Sequence, residues 1–125
     1  MMNRTERRGA ASAARNSRES RAQQRNAVFR AIADPTRRQI LGLLRGGPQT
    51  VGEIARNFRM SRPAVSKHLR QLRRAGLIVT RQEGTSTRCG LNARPLRGVN
   101  EWLEDYRNFW RVTLRGLRDY IEERR

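Results

Sequence analysis

Cysteine occurs once in this chain, at Cys89, which excludes an intrachain disulfide and any metal cluster built from several thiolates of one chain. Histidine occurs once, at His68, and lysine once, at Lys67. No apolar run approaches bilayer length, and the first residues lack the apolar centre of a secretory signal. No paired carboxylates, nucleophile with a neighbouring base, or glycine-rich phosphate loop stand out, so an enzyme is not expected. These absences predict a cytoplasmic protein with no metal, no cofactor and no membrane partner.

What is abundant is arginine. The 125 residues carry 28 basic and 11 acidic side chains, a formal charge of +17, and 27 of the basic residues are Arg. Such an excess points to a polyanion. Its distribution says more than its size. Residues 1–25 hold seven Arg against Glu6 and Glu19, and residues 26–98 hold fifteen basic groups against Asp34, Glu53 and Glu83. Residues 99–125 hold six of each sign and five of the seven aromatic rings. One part of the chain faces the polyanion, and the last part is suited to facing protein.

Residues 1–22 offer almost nothing to bury and are expected to form a disordered basic arm, either a solubilising tail or a phosphate-tracking one. Residues 23–125 are expected to form one domain. Ala27, Val28, Ala31 and Ile32 suggest a short amphipathic helix, and Asp34-Pro35-Thr36 starts a second one that buries Ile40, Leu41, Leu43 and Leu44. Thr50 and Glu53 have capping-box spacing before Val51, Ile54, Ala55 and Phe58, which predicts a helix of about nine residues.

The stretch Ser61–Gly76 follows after a tight turn. Ser61 can cap it, Pro63 is tolerated in its first turn and Gly76 can end it. Val65, Leu69 and Leu72 make one apolar stripe. Pro63, Lys67, Arg70, Gln71 and Arg74 lie roughly opposite, with Arg62 and Ser66 at the flank. Alone, this is a solvated helix with a basic face as readily as a DNA reader. Behind a capped short helix it makes a helix-turn-helix.

After Gly76 the period changes to that of strands. Leu77–Thr80 and Thr87–Leu91 flank a turn at Glu83–Ser86. The expected fold is therefore mostly α with a small β-hairpin, a winged helix-turn-helix in the order α-α-α-α-β-β-α. Arg81 and Arg88 stand on the arms of the wing, and Thr85 and Ser86 at its tip. Pro95 opens a last helix, about 95–123, on which Leu96, Val99, Leu103, Tyr106, Trp110 and Leu117 recur at helical spacing. That is more apolar surface than a small domain needs from its final helix. It predicts a homodimer interface, to which Val28 is also assigned.

The D-P-T-R-R-Q-I-L helix, the S-R-P-A-V-S-K-H-L helix, the G-L-I-V strand and the W-L-x-x-Y-R-x-F-W helix together resemble the ArsR-type winged-helix repressors, most closely their metal-independent branch. The resemblance spans about residues 24–122. It implies a dimeric repressor on double-stranded DNA, with DNA-reading positions at Ser61, Arg62, Ser66, Lys67 and His68 and with Arg70 near the backbone. Metal-sensing members carry a Cys pair at the start of the helix that here reads Thr50–Phe58, and this sequence has none. His68 is expected to pack or to touch DNA. Cys89 is expected to be half-buried and inert. Two other readings stay open: a ligand- or thiol-responsive repressor with an effector site at the dimer helices, and a winged helix used as a protein-interaction module.

Overall fold

A computed structural model describes residues 3–124. Helix α1 (Arg4–Ile32) leads to α2 (Pro35–Leu44), a two-residue strand β1 (Gln49–Thr50), α3 (Val51–Ala55) and α4 (Arg62–Arg74). Strands β2 (Ile78–Glu83) and β3 (Ser86–Leu91) follow, then a 3-10 turn at Arg94–Leu96 and the long helix α5 (Arg97–Glu123). The sheet is antiparallel with order β1-β3-β2. The winged helix-turn-helix is thus present with one strand more than expected, because Gln49 and Thr50 pair with Cys89 and Arg88.

Two expected boundaries move. Order begins at Arg4 instead of near Gln23, so the arm continues α1. Its burial is indeed negligible, since residues 3–21 are all exposed. The helix forms by local means: the Asn3 side chain accepts the Glu6 amide at 2.8 Å while Glu6 accepts the Asn3 amide at 3.0 Å, and Ala and Arg are strong helix formers. Met1, Met2 and Arg125, which the expected arm and domain include, lie outside the described residues. Helix α3 is shorter than expected. Thr50 accepts the Glu53 amide at 3.2 Å, but the Asn57 side chain donates back to the Glu53 and Ile54 carbonyls and closes the helix there.

The core gathers Val28, Ile40, Leu44, Ile54, Val65, Leu72, Leu77, Ile78 and Cys89 from α1, α2, α3, α4, β2, β3 and the turn before β2. Each fully buried aliphatic side chain stabilises by roughly 1.5–3 kcal/mol. A helix as short as α4 is marginal on its own, so Val65, Leu69 and Leu72 hold it in place. Val28 is buried within this core, at 1% exposure, and therefore cannot sit on a dimer face as expected. Leu96 and Val99 are half-buried against the same core. Cys89 is fully buried, deeper than expected, because strand alternation turns it to the face that packs under α4.

Candidate nucleic-acid interface

Helix α4 is fixed at both ends by backbone chemistry. Ser61 Oγ accepts the Ala64 amide at 3.3 Å, and Pro63 sits in the first turn, where no intrahelical donor is lost. At the other end the Leu77 amide reaches the Leu72 carbonyl and the Gly76 amide reaches the Arg73 carbonyl, each at 3.0 Å. This is a Schellman cap, and it needs the left-handed conformation that Gly76 adopts at φ 79°. The Asn92 side chain adds a 2.8 Å bond to the Gly76 carbonyl. With the inner stripe buried, Ser61, Arg62, Pro63, Lys67, Arg70 and Arg74 are exposed, and Ser66 and Gln71 are half-exposed.

Two hollows take most of the outer polar residues of α4, while Arg70 lines the space between α4 and the sheet. One, of about 400 Å3, is lined by Arg62 and Ser66, by Thr50 and Gly52 at the start of α3, and by Thr85 and Ser86 of the wing. The hairpin makes this possible: Glu83 pairs with Ser86 across the two-residue turn Gly84-Thr85, with Gly84 at φ 61°. The other hollow, of about 480 Å3, places Lys67, Gln71 and Arg74 beside Arg30 of α1 and Arg37 of α2. Its charged lining is cationic throughout. Arg30 and Arg37 were not among the expected site residues, because no pattern within one helix brings the end of α1 beside α4.

The wing arginines stand apart from the rest. Thr80, Thr87 and Cys89 line the space under α4, and alternation along the strands puts Arg81 and Arg88 on the opposite face. Arg88 Nε donates to Glu83 Oε2 at 3.0 Å, so its charge is already partly compensated.

His68 turns inward from the expected row. Its Nδ1 lies 3.4 Å from Arg37 Nη1 and 4.0 Å from Asp34 Oδ1. Arg37 also donates from Nε to the Ala31 carbonyl at 2.7 Å and from Nη2 to the Arg30 carbonyl at 3.0 Å. Arg38 closes the Ile32 and Ala33 carbonyls. The D-P-T-R-R segment thus caps two helices at once: Asp34 Oδ1 accepts the Arg37 amide at 3.0 Å to start α2, and the two arginines satisfy the end of α1. The Arg37 amide, together with the nearby His68 and Arg37 side chains, holds the Asp34 carboxyl below its ordinary range. Burial pushes the Cys89 thiol up, against the pull of Arg73. Among the described residues, no three His, Cys, Asp or Glu side chains group as a metal site, and no helix is long and apolar enough to cross a membrane.

Residues 34–80, the span from the α2 cap to β2, match the family described as bacterial regulatory protein, arsR family. The transcriptional repressor SdpR of Bacillus subtilis is 42% identical over 83 residues, which span 66% of this chain and 92% of that protein. The chain belongs to the ArsR family. A second relative, the HTH-type transcriptional regulator Rv2034 of Mycobacterium tuberculosis, is 39% identical over 95 residues, 76% of this chain and 86% of that protein. A crystal structure of an ArsR family transcriptional regulator superimposes with a TM-score of 0.66 at 39% identity, covering 72% of this chain and 93% of that one. This ArsR-family chain is a DNA-binding transcriptional regulator, and these relatives are named as regulators, not enzymes.

Proposed function

We propose that the chain works as a homodimeric repressor that reads an inverted-repeat operator, its own promoter among the sites to test, without a bound metal. The observation that carries this reading is the pairing of a rigidly capped, outwardly basic α4 with an α5 whose apolar face lies uncovered. Tyr106, Trp110 and Leu117 are about half exposed, as are Trp102, Tyr120 and Ile121. Two such faces bury each other in a C2 pair, and the pair sets two α4 helices about 34 Å apart, one turn of duplex. Phe29 and Trp102, edge-to-face at 5.5 Å, tie the root of α5 to α1 and so to the reading head.

Within each head, Arg62 and Lys67 reach guanine edges, because both types donate to O6 and N7. Ser61, Pro63, Ser66 and Gln71 shape the surface around them. Arg70 and Arg74 neutralise phosphate and set register. Thr85 and Ser86 at the wing tip, with Arg81, meet the flanking backbone, while Arg88 contributes less because Glu83 already holds it. His68 acts from behind, as a positioning residue on Asp34 and Arg37. Occupying an operator that overlaps a promoter excludes polymerase. Lone, fully buried Cys89 argues against thiol control.

Selection of bound fragments from genomic DNA, with the chain's own upstream region included, tests the reading. Enrichment of one inverted repeat, bound two chains per duplex, is the expected result. Recovery of fragments with no shared motif overturns sequence-specific repression and favours a protein-interaction module.

A further inference from the structure

The exposed part of α1 has chemistry of its own. Between Asn3 and Ala27 no apolar side chain is larger than alanine, so this helix cannot dock on a protein by burying an apolar stripe. What it offers is charge. At about 100° per residue, all seven arginines up to Arg25 fall within roughly 140° of the helix circumference. Glu6 is engaged at the N-cap, and Glu19 stands at the edge of the stripe. No arginine of this segment forms a salt bridge with any described residue. The stripe continues into a cleft where Arg18, Arg21 and Arg25 meet Arg94 beside the single acid Glu101.

Its place in the fold points the same way. Helix α1 runs alongside α4 in the opposite direction: Ala27 and Ala31 share a hollow with Lys67, Gln71 and Arg74, and Gln24 lies against the Gly76 cap. The arm therefore leaves the body beside the end of α4. From Arg4 to Arg21 it extends about 26 Å, the length of roughly seven base pairs.

We propose that Arg4–Arg21 is a second DNA-binding element, a sequence-independent clamp that lays its arginine stripe on the phosphate backbone outside the base-reading site. This rests on the DNA-binding reading above. A row of seven guanidiniums with Glu19 at its edge still repels itself, and a polyanion relieves that repulsion.

The test uses the full chain and a quintuple variant, R4Q/R7Q/R8Q/R15Q/R18Q, on two duplexes: the selected operator with about ten flanking base pairs on each side, and the same operator trimmed to its repeat. On the flanked duplex the variant is expected to bind at least tenfold more weakly. Its plot of log affinity against log salt should be shallower by about 0.9 for each phosphate that the variant leaves unneutralised. On the trimmed duplex the two proteins should bind alike. The corresponding all-lysine variant keeps the charge and should behave as the wild type on both. Equal affinity and slope on the flanked duplex overturn the clamp, as does an all-lysine variant that fails along with the glutamine one. A change in oligomeric state at unchanged salt slope overturns it as well, assigning the stripe to a second copy of the chain. Failure of the wild type on the trimmed operator is a different result, because it removes the operator reading itself.

Discussion

Helices α4 and α5 are written with the same period and end in opposite situations. Each repeats apolar residues every three or four positions with polar residues between. In α4 the stripe of Val65, Leu69 and Leu72 disappears into its own domain and leaves a cationic face outside. In α5 the stripe beyond Leu103 is about half exposed or more, and the polar remainder is nearly neutral. Amphipathicity alone does not say what covers the apolar side; charge on the other side discriminates. On the proposed reading, the helix that meets a polyanion carries uncompensated arginine, and the helix that meets its own copy balances its charges.

The largest expected effect lies on the α5 side. Trp110→Glu places a charge in the middle of the uncovered face and should convert dimers to monomers in light scattering. Without linkage between heads, operator affinity should fall by about a hundredfold or more. A variant that stays dimeric with unchanged affinity would mean that the α5 face is not the interface. In α4, Leu72→Ala removes a fully buried side chain and should cost about 2–5 kcal/mol in urea unfolding at fixed protein concentration. A cost below that range would show that α4 is held mainly by its caps.

Arg62→Ala should cost on the order of 1–3 kcal/mol on the best site and relax preference at one base position. Equal losses on operator and random duplex would reassign Arg62 to the backbone. The smallest expected effect lies at Asp34. Asp34→Ala should cost about 1 kcal/mol through the lost N-cap. Because the folded carboxyl is held below its unfolded value, its contribution is present above the unfolded pKa and lost as pH falls through the folded one. Asp34→Asn should keep most of the cap and lose that acid dependence. An Asn variant with the wild-type acid profile would place the titration elsewhere.

The ends of α4 were legible because their causes are local. Ser61, Pro63 and Gly76 act within four residues of themselves, and each does what its type does in any helix. The start of α2 at Asp34-Pro35 was legible for the same reason. Strand β1 was not, since two residues carry no alternation and their partners lie some forty positions away. The arm misled because composition reports what a segment can bury, whereas an Ala- and Arg-rich helix with a capping box closes its own backbone bonds without burying anything. Val28 misled differently: its periodicity identified a buried face, and only the packing shows that the face belongs to the same chain. His68 sits in a motif that points to DNA, and its inward turn depends on Asp34 and Arg37, which belong to another helix.

Arg37 and Arg7 are the same amino acid under opposite constraints. One guanidinium at position 37 is divided among two carbonyls of α1 and the imidazole of α4, a task for a flat fork with five donors and not for the single ammonium of lysine. Position 7 stands in open water, and the proposed clamp asks of it only positive charge. Among relatives that share this architecture, arginine and lysine should therefore trade freely along the arm and not at position 37, so that tolerance to exchange marks where the fold reads shape and where it reads charge alone.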